Sequence, residues 1–497
     1  MEVNSIQYKN RLSWASWLYI ACVSAVMITL CSRCSPLYPF NDWVDVNCFF
    51  TVGKAMFNGR VVYRDIYEQK GVLLYFIYGI AYLISNTDFF GAYLIEILSF
   101  FVFLMMVYDT MCLFGAERTG LLVLPFLAAA LCGSRGFYLG GSAEELMLPA
   151  IYLPLYTMMK CYRAAGDCIP DGKNMLLMGC GAACLLWSKF TLTGIYIGYI
   201  IFGSAVLIKR KEWKKLLHSA LCFFAGVMIV SLPWILYFSF NHALADMFEV
   251  YFYNNIFVYP MKKTLHNYAA VLTMAFLKNI FMMAFIAFGV YGVLRESKNR
   301  EFMAGMFCLY FFNVFFVFAG GVAFEYYAYG MAALAVPGAV YAAMRLEAFA
   351  VKRSVPAKKV LCAAAAAAFL LGGAAAWLYS DNSFLAKYDR EDMWYQKFAE
   401  EILASDDHSV LNYNSLDLGI YTLTGYVPQN RFFCKLNINL YEMHNEMDAS
   451  IREKKTEWVV FTDNTDFPEE YYDIVAEEQS FFSYESAPTT YYLGRKK

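Results

Sequence analysis

Long runs of apolar residues alternate with short polar breaks over most of this chain. Twelve runs stand out, near residues 14–32, 71–86, 89–113, 121–134, 145–159, 175–188, 190–208, 219–239, 268–294, 303–320, 327–344 and 360–379. Runs of this kind predict membrane helices, each needing about 20 apolar residues to cross a bilayer. After residue 379 the pattern changes. "MWYQKFAEEILAS" has helical spacing, while "SVLNYN", "EWVVFTD" and "SFFSYE…TTYYLG" have strand composition. The chain thus reads as a polytopic α-helical membrane domain over 1–379, followed by a small α/β domain over 380–497.

Charge then sorts the runs. Basic clusters occur at Lys209-Arg210-Lys211 with Lys214-Lys215, at Arg295-Lys298-Arg300, and from Arg345 to Lys359. Lys9 and Arg11 precede the first run, which is read as a retained helix because further spans follow. The positive-inside rule assigns all of these to the cytoplasm. That assignment is self-consistent only if the short run at 71–86 does not cross. A helix lying in the interface or dipping in and out is then expected there. About 11 spans remain, with the N-terminus cytoplasmic, the C-terminal domain extracytoplasmic, and residues 33–88 forming a long outer loop. An integral protein of a bacterial plasma membrane is the expected setting.

Composition adds three constraints. The 497 residues are 60% hydrophobic and only 16% charged, below the roughly 25% charged of soluble chains. The net charge of −2 hides a split, because residues 380–497 carry 22 acids against 11 bases. An acidic tail argues against nucleic acid as a partner. The 14 cysteines mostly lie inside apolar runs, as small hydrophobes. Cys31 and Cys34 are read as packing or an incidental disulfide, and Cys434, alone in the tail, leaves it without an internal one. The inner loops hold no phosphate-binding glycine motif, which argues against an ATP-driven pump.

The outer segments gather the chemistry. The first loop, "NDWVDVNCFFTVGKAMFNGRVVYRDIYEQKG", holds Asp42, Asp45, Lys54, Arg60, Arg64, Asp65, Glu68 and Lys70. Cations on the outer face run against the usual bias, and a lipid phosphate at the water–lipid boundary would explain them. "GFYLGGSAEELMLP" adds Glu144 and Glu145 at the start of a run, where carboxylates also favour a helix N-terminus. "NNIFVYPMKKTLHNY" adds Lys262, Lys263 and His266, and "GGVAFEYYAYG" adds Glu325, Tyr326 and Tyr327. Glu96, inside a run, is expected to face protein, and Lys189 either snorkels or lines the site.

The stretch "DVNCFFTVGKAMFNGRVVYRDIYEQKGVLLYF" resembles the first outer loop of the GT-C superfamily of membrane glycosyltransferases. That superfamily includes the protein O-mannosyltransferases and the aminoarabinose transferases of lipid A. The resemblance rests on Asp45, Phe49, Gly53, Gly59, Tyr63, Asp65, Lys70 and Gly71, with "AEELMLP" similar to the second outer loop. It covers residues 1–380 in layout and 42–75 in detail. Val72 stands where many relatives have Pro, and Glu325-Tyr326 where the family often has His-Tyr.

The resemblance implies transfer of a sugar from a polyprenyl-phosphate donor to a hydroxyl of a glycan, lipid or protein acceptor. It implies Asp45 as the base, with Asp42, Glu144 and Glu145 orienting the acceptor or a metal. Arg64, Lys70, Lys262 and Lys263 would meet the donor phosphate. Asp65, His266, Glu325 and Tyr326 are further candidates for contact with substrate or with a divalent ion such as Mg or Mn. A transporter or flippase of lipid-linked or polar substrates is the main rival, although no internal repeat of the transporter kind is visible. A scaffold or receptor using the tail as a binding module is the third class.

Overall fold

The computed structural model describes residues 13–259, 264–321, 324–353, 358–462, 467–480 and 488–497. The chain divides into two compact units, each assembled from separate stretches of sequence. The first comprises Met1–Ser32, Leu94–Pro233 and Met261–Ser383. The second comprises Arg33–Tyr93, Trp234–Pro260 and Phe384–Lys497.

The first unit is a bundle of apolar helices. Among the described residues of the chain, seven helices have the length and apolarity of a membrane span: Trp14–Cys31, Phe90–Leu113, Phe190–Lys209, Trp213–Phe240, Arg300–Val317, Glu325–Lys352 and Val360–Tyr379. An eighth arises if the bent pair His266–Lys278 and Ile280–Glu296 is one span. The other three of the eleven expected spans correspond to Glu117–Cys132, Leu148–Ala165 and Gly172–Leu186, which are shorter or more polar. The run at 268–294 is not one straight helix. It bends by 101° at Asn279, whose side chain accepts from Gly136 N–H at 2.7 Å and donates to the Ala275 carbonyl at 2.8 Å. Diverting those groups from the helical ladder explains the break.

Close helix approach in this bundle depends on small residues. A Cβ at Gly194 or Gly198 would lie 2.4 Å from the Phe312 carbonyl oxygen or 2.6 Å from that of Cys308. This small-xxx-small stripe lets two backbones meet where lipid offers no hydrophobic drive for association.

The second unit opens with two packed helices, Val44–Phe57 and Val72–Ile84. At about 1.5 Å per residue, the 13 residues of the latter reach about 20 Å, short of a bilayer core. The tail supplies a four-stranded sheet of β1 (Val410–Asn412), β2 (Trp458–Thr462), β3 (Tyr472–Gln479) and β4 (Thr490–Lys496), in the order β1-β2-β4-β3. β1 and β2 run parallel, and the other pairings are antiparallel. Helix Trp394–Leu403 buries Trp394, Tyr395, Phe398, Ala399 and Ile402, the face that its spacing predicts. The strand composition located β1, β2 and β4, but β3 escaped it. Asp473, Glu477 and Glu478 line this strand at the sheet edge, where charge discourages further pairing.

Candidate active site

In the second unit, the "NDWVDVN" stretch enters a helix with Trp43 at its N-cap and Asp45 in its first turn. Asn47 braces that entry, its amide donating to the Asn41 and Trp43 carbonyls at 2.9 and 3.0 Å. Asp42 is committed to Arg33. Its Oδ1 lies 2.5 Å from Nη1 of a guanidinium that is fully buried. Asp45 is half-buried and faces a different group. The Tyr259 hydroxyl lies in the combined field of Lys70, Asp45 and Glu68, and burial first, then the two carboxylates, raises its pKa against the pull of Lys70.

Glu68 is fixed from behind. Tyr75 donates its hydroxyl proton to the Glu68 carboxylate, which also accepts from the Lys70 N–H at 2.9 Å. The Lys70 ammonium lies 3.9 Å from Glu68 Oε1 and 5.4 Å from the Phe49 ring centre. Asp45, Glu68 and Lys70 therefore all act on Tyr259 through their charge. Sequence placed Glu68 among the charges of the first outer loop but gave it no role. Its role becomes visible only through the hydrogen bonds that its carboxylate accepts from the Lys70 N–H and the Tyr75 hydroxyl.

Arg64 and Asp65 have other neighbours. They pair with each other at 2.7 Å, Arg64 also donates to the Asn241 carbonyl at 2.5 Å, and Asp65 accepts from Val61 N–H at 2.8 Å. The Arg64 hydrogen bond holds the Asp65 carboxyl below its usual range.

In the first unit, Ser142 caps the single turn Ala143–Leu146. Glu144 and Glu145 on it are each 1% exposed. Glu144 Oε1 lies 2.5 Å from the Lys189 ammonium, which sits 3.8 Å from the Tyr327 ring centre and 4.9 Å from that of Tyr326. The second Glu144 oxygen is buried with no hydrogen-bond partner among the described residues. Glu325 pairs with Lys278 and lies 3.9 Å from Arg135, which also meets Asp381 at 3.0 Å. Tyr326 is buried and packs on Phe324 and Tyr138. His266 is exposed near the start of helix Leu265–Lys278. Lys262 and Lys263 lie outside the described residues. Among the described residues, no three His, Cys, Asp or Glu side chains form a set able to hold a metal ion.

The fold has known counterparts. ArnT from Cupriavidus metallidurans bound to undecaprenyl phosphate is similar with a TM-score of 0.64, covering 97% of this chain and 98% of that one at 11% identity. The apo state of the same protein gives a TM-score of 0.62 over 96% and 97% at 12% identity. The arabinofuranosyltransferase AftD from Mycobacteria gives 0.50 at 12% identity, covering 98% of this chain and 40% of its own. Both neighbours are GT-C glycosyltransferases, and the fold of this chain is the GT-C fold. No protein-family model and no curated protein sequence matches it.

Proposed function

We propose that this protein transfers a sugar from a polyprenyl-phosphate carrier to an acceptor hydroxyl on the outer face of the membrane, by a single inverting displacement. The observation that carries the reading is the Glu68–Lys70 pair, 3.9 Å apart, whose field reaches Tyr259 together with that of Asp45. The GT-C fold and the undecaprenyl phosphate named with the ArnT neighbour support the choice of donor.

Asp45 takes the proton of the acceptor hydroxyl as its oxygen attacks the anomeric carbon. The bond from that carbon to the phosphate oxygen breaks, and polyprenyl phosphate leaves. Lys70 offsets the charge on the departing phosphate. In this reading residues 33–88 and the domain over 380–497 are extracytoplasmic, and the N-terminus is cytoplasmic. Since the described acids do not form a ligand set, no step is assigned to a metal ion.

The test uses purified protein in liposomes with radiolabelled polyprenyl-phosphate sugars and candidate acceptors. Label covalently attached to an acceptor is the expected result. Label carried across the bilayer without transfer would favour a flippase instead. Single cysteines placed near Asp45 should react with an impermeant maleimide added outside. Reaction from the cytoplasmic side alone would sink the assignment.

A further inference from the structure

The fold brings two cysteines together across 386 residues of sequence: the Sγ atoms of Cys48 and Cys434 lie 3.8 Å apart. Both belong to the second unit, and both are buried. Neither sits on a loose end. Cys48 is in the second turn of helix Val44–Phe57. Cys434 lies beside β1, bridged to Asn412, and its chain neighbours are fixed. The Phe433 carbonyl accepts from the Tyr421 hydroxyl at 2.7 Å, and Lys435 N–H donates to the Ser415 carbonyl at 2.9 Å.

The tail is bonded along one face of that helix. The Thr422 hydroxyl donates to Asn47 Oδ1 at 3.0 Å, and the Thr51 hydroxyl donates to the Asp417 carboxylate at 2.6 Å. The Lys54 ammonium donates to the Tyr421 carbonyl at 2.6 Å. Positions 47, 48, 51 and 54 recur at helical spacing, so Cys48 stands in the row that meets the tail. Cys34, the third cysteine of this unit, accepts from the Asn41 amide at 3.2 Å instead. A disulfide needs its sulfurs about 2 Å apart. Rotation of the two side chains about their Cα–Cβ bonds closes the remaining gap without moving the backbone between elements.

We propose that Cys48 and Cys434 are joined by a disulfide, which tethers the tail to the helix bearing Asp45. The inference rests on the extracytoplasmic placement proposed above for both segments, a compartment in which disulfides persist. The oxidant is a protein disulfide carrier of the dithiol-oxidase class outside the membrane. The thiolate of one cysteine attacks the carrier's disulfide, and one carrier thiolate leaves. The second cysteine thiolate attacks the mixed disulfide, the Cys48–Cys434 bond forms, and the other carrier thiolate leaves. Two protein thiols are oxidised, one carrier disulfide is reduced, and the two protons end on the carrier's sulfurs. Burial raises both thiols above their usual range in the folded unit. Exchange therefore belongs to the stage before the tail closes on the helix, and the same burial then shields the bond.

The test uses the full chain made in a host with an extracytoplasmic dithiol oxidase. Membranes are quenched with N-ethylmaleimide in denaturant and digested. Mass spectrometry should find the Cys48 and Cys434 peptides linked, and separate after reduction. Both cysteines alkylated in most molecules overturns the tether. Thermal unfolding in detergent gives a second readout. Cys48→Ala and Cys434→Ala should each lower the midpoint by roughly 5–15 °C, with the double variant close to the worse single one. Additive losses, the pattern of two separate packing groups, overturn the tether as well. Should an alanine variant not fold, the linked peptide decides alone. Tyr441→Cys, at a tail position 83% exposed, separates this failure from failure of the placement. New label from an impermeant maleimide outside, with Cys48 and Cys434 unlinked, defeats the tether alone. Label from the cytoplasmic side only sinks the placement, and the outer-face function with it.

Discussion

Two acid pairs, Asp42–Asp45 in the first outer loop and Glu144–Glu145 in the capped turn, look interchangeable in sequence. The fold treats them by the same rule in different surroundings. In each pair one acid is an anchor: Asp42 on buried Arg33, Glu145 on the Gly141 N–H. The other meets a different group: Asp45 contributes to the field at Tyr259, and Glu144 pairs with the Lys189 ammonium. The surroundings differ in burial. Asp45 is half-buried, whereas both glutamates are 1% exposed. Substitution in the loop should therefore be felt mainly in chemistry, and substitution in the turn mainly in stability.

The largest effect should come from Asp45→Asn. Loss of a general base typically lowers rate by about 10²–10⁴-fold, and Asp45→Asn should do so with thermal stability in detergent little changed. Equal losses of rate and stability would erase the contrast. Lys189→Met comes next. It leaves Glu144 charged and buried without its cation, a change that typically costs about 3–5 kcal/mol, read as lowered resistance to thermal unfolding. Lys189→Met together with Glu144→Gln should recover much of that loss.

A pH series sharpens the comparison within the second unit. Burial raises Asp417 from 3.8 to about 6, despite its bonds from Thr51 and Gly419 N–H. Burial lowers Lys54 from 10.5 to about 7, with Asp417 opposing. Between about 4 and 6 the folded unit retains a proton that the unfolded chain has released, so stability should fall as pH rises. Between about 7 and 10 the unfolded chain retains a proton on Lys54 that the folded unit has released, so stability should rise. Chemical unfolding should show a minimum between the two windows, and Asp417→Asn should remove the acidic limb and, by taking away the charge that opposes burial, carry the Lys54 limb to lower pH. The smallest effect belongs to Arg64→Ala. Arg64 is 41% exposed, and surface pairs contribute about 0–1 kcal/mol. A large loss of transfer with little loss of stability would instead give Arg64 a role at the phosphate.

The sequence by itself determined the helical membrane character, the α/β tail and the likeness of residues 42–75 to a GT-C outer loop. Apolar runs and alternation are local signals, repeated over many residues, and they survive without knowledge of partners. It also named Asp45, Lys70, Glu144 and Lys189 as residues of interest. Tertiary structure alone decided their partners. Ser32 and Glu96 come from two distant stretches, as do Glu68 and Tyr259. The bend at Asn279 needs Gly136, far away in sequence, and β3 is recognisable only as the charged edge of a sheet. Whether a carboxylate anchors or reacts depends on which donor reaches it and how much water remains, and no periodicity along a chain records either.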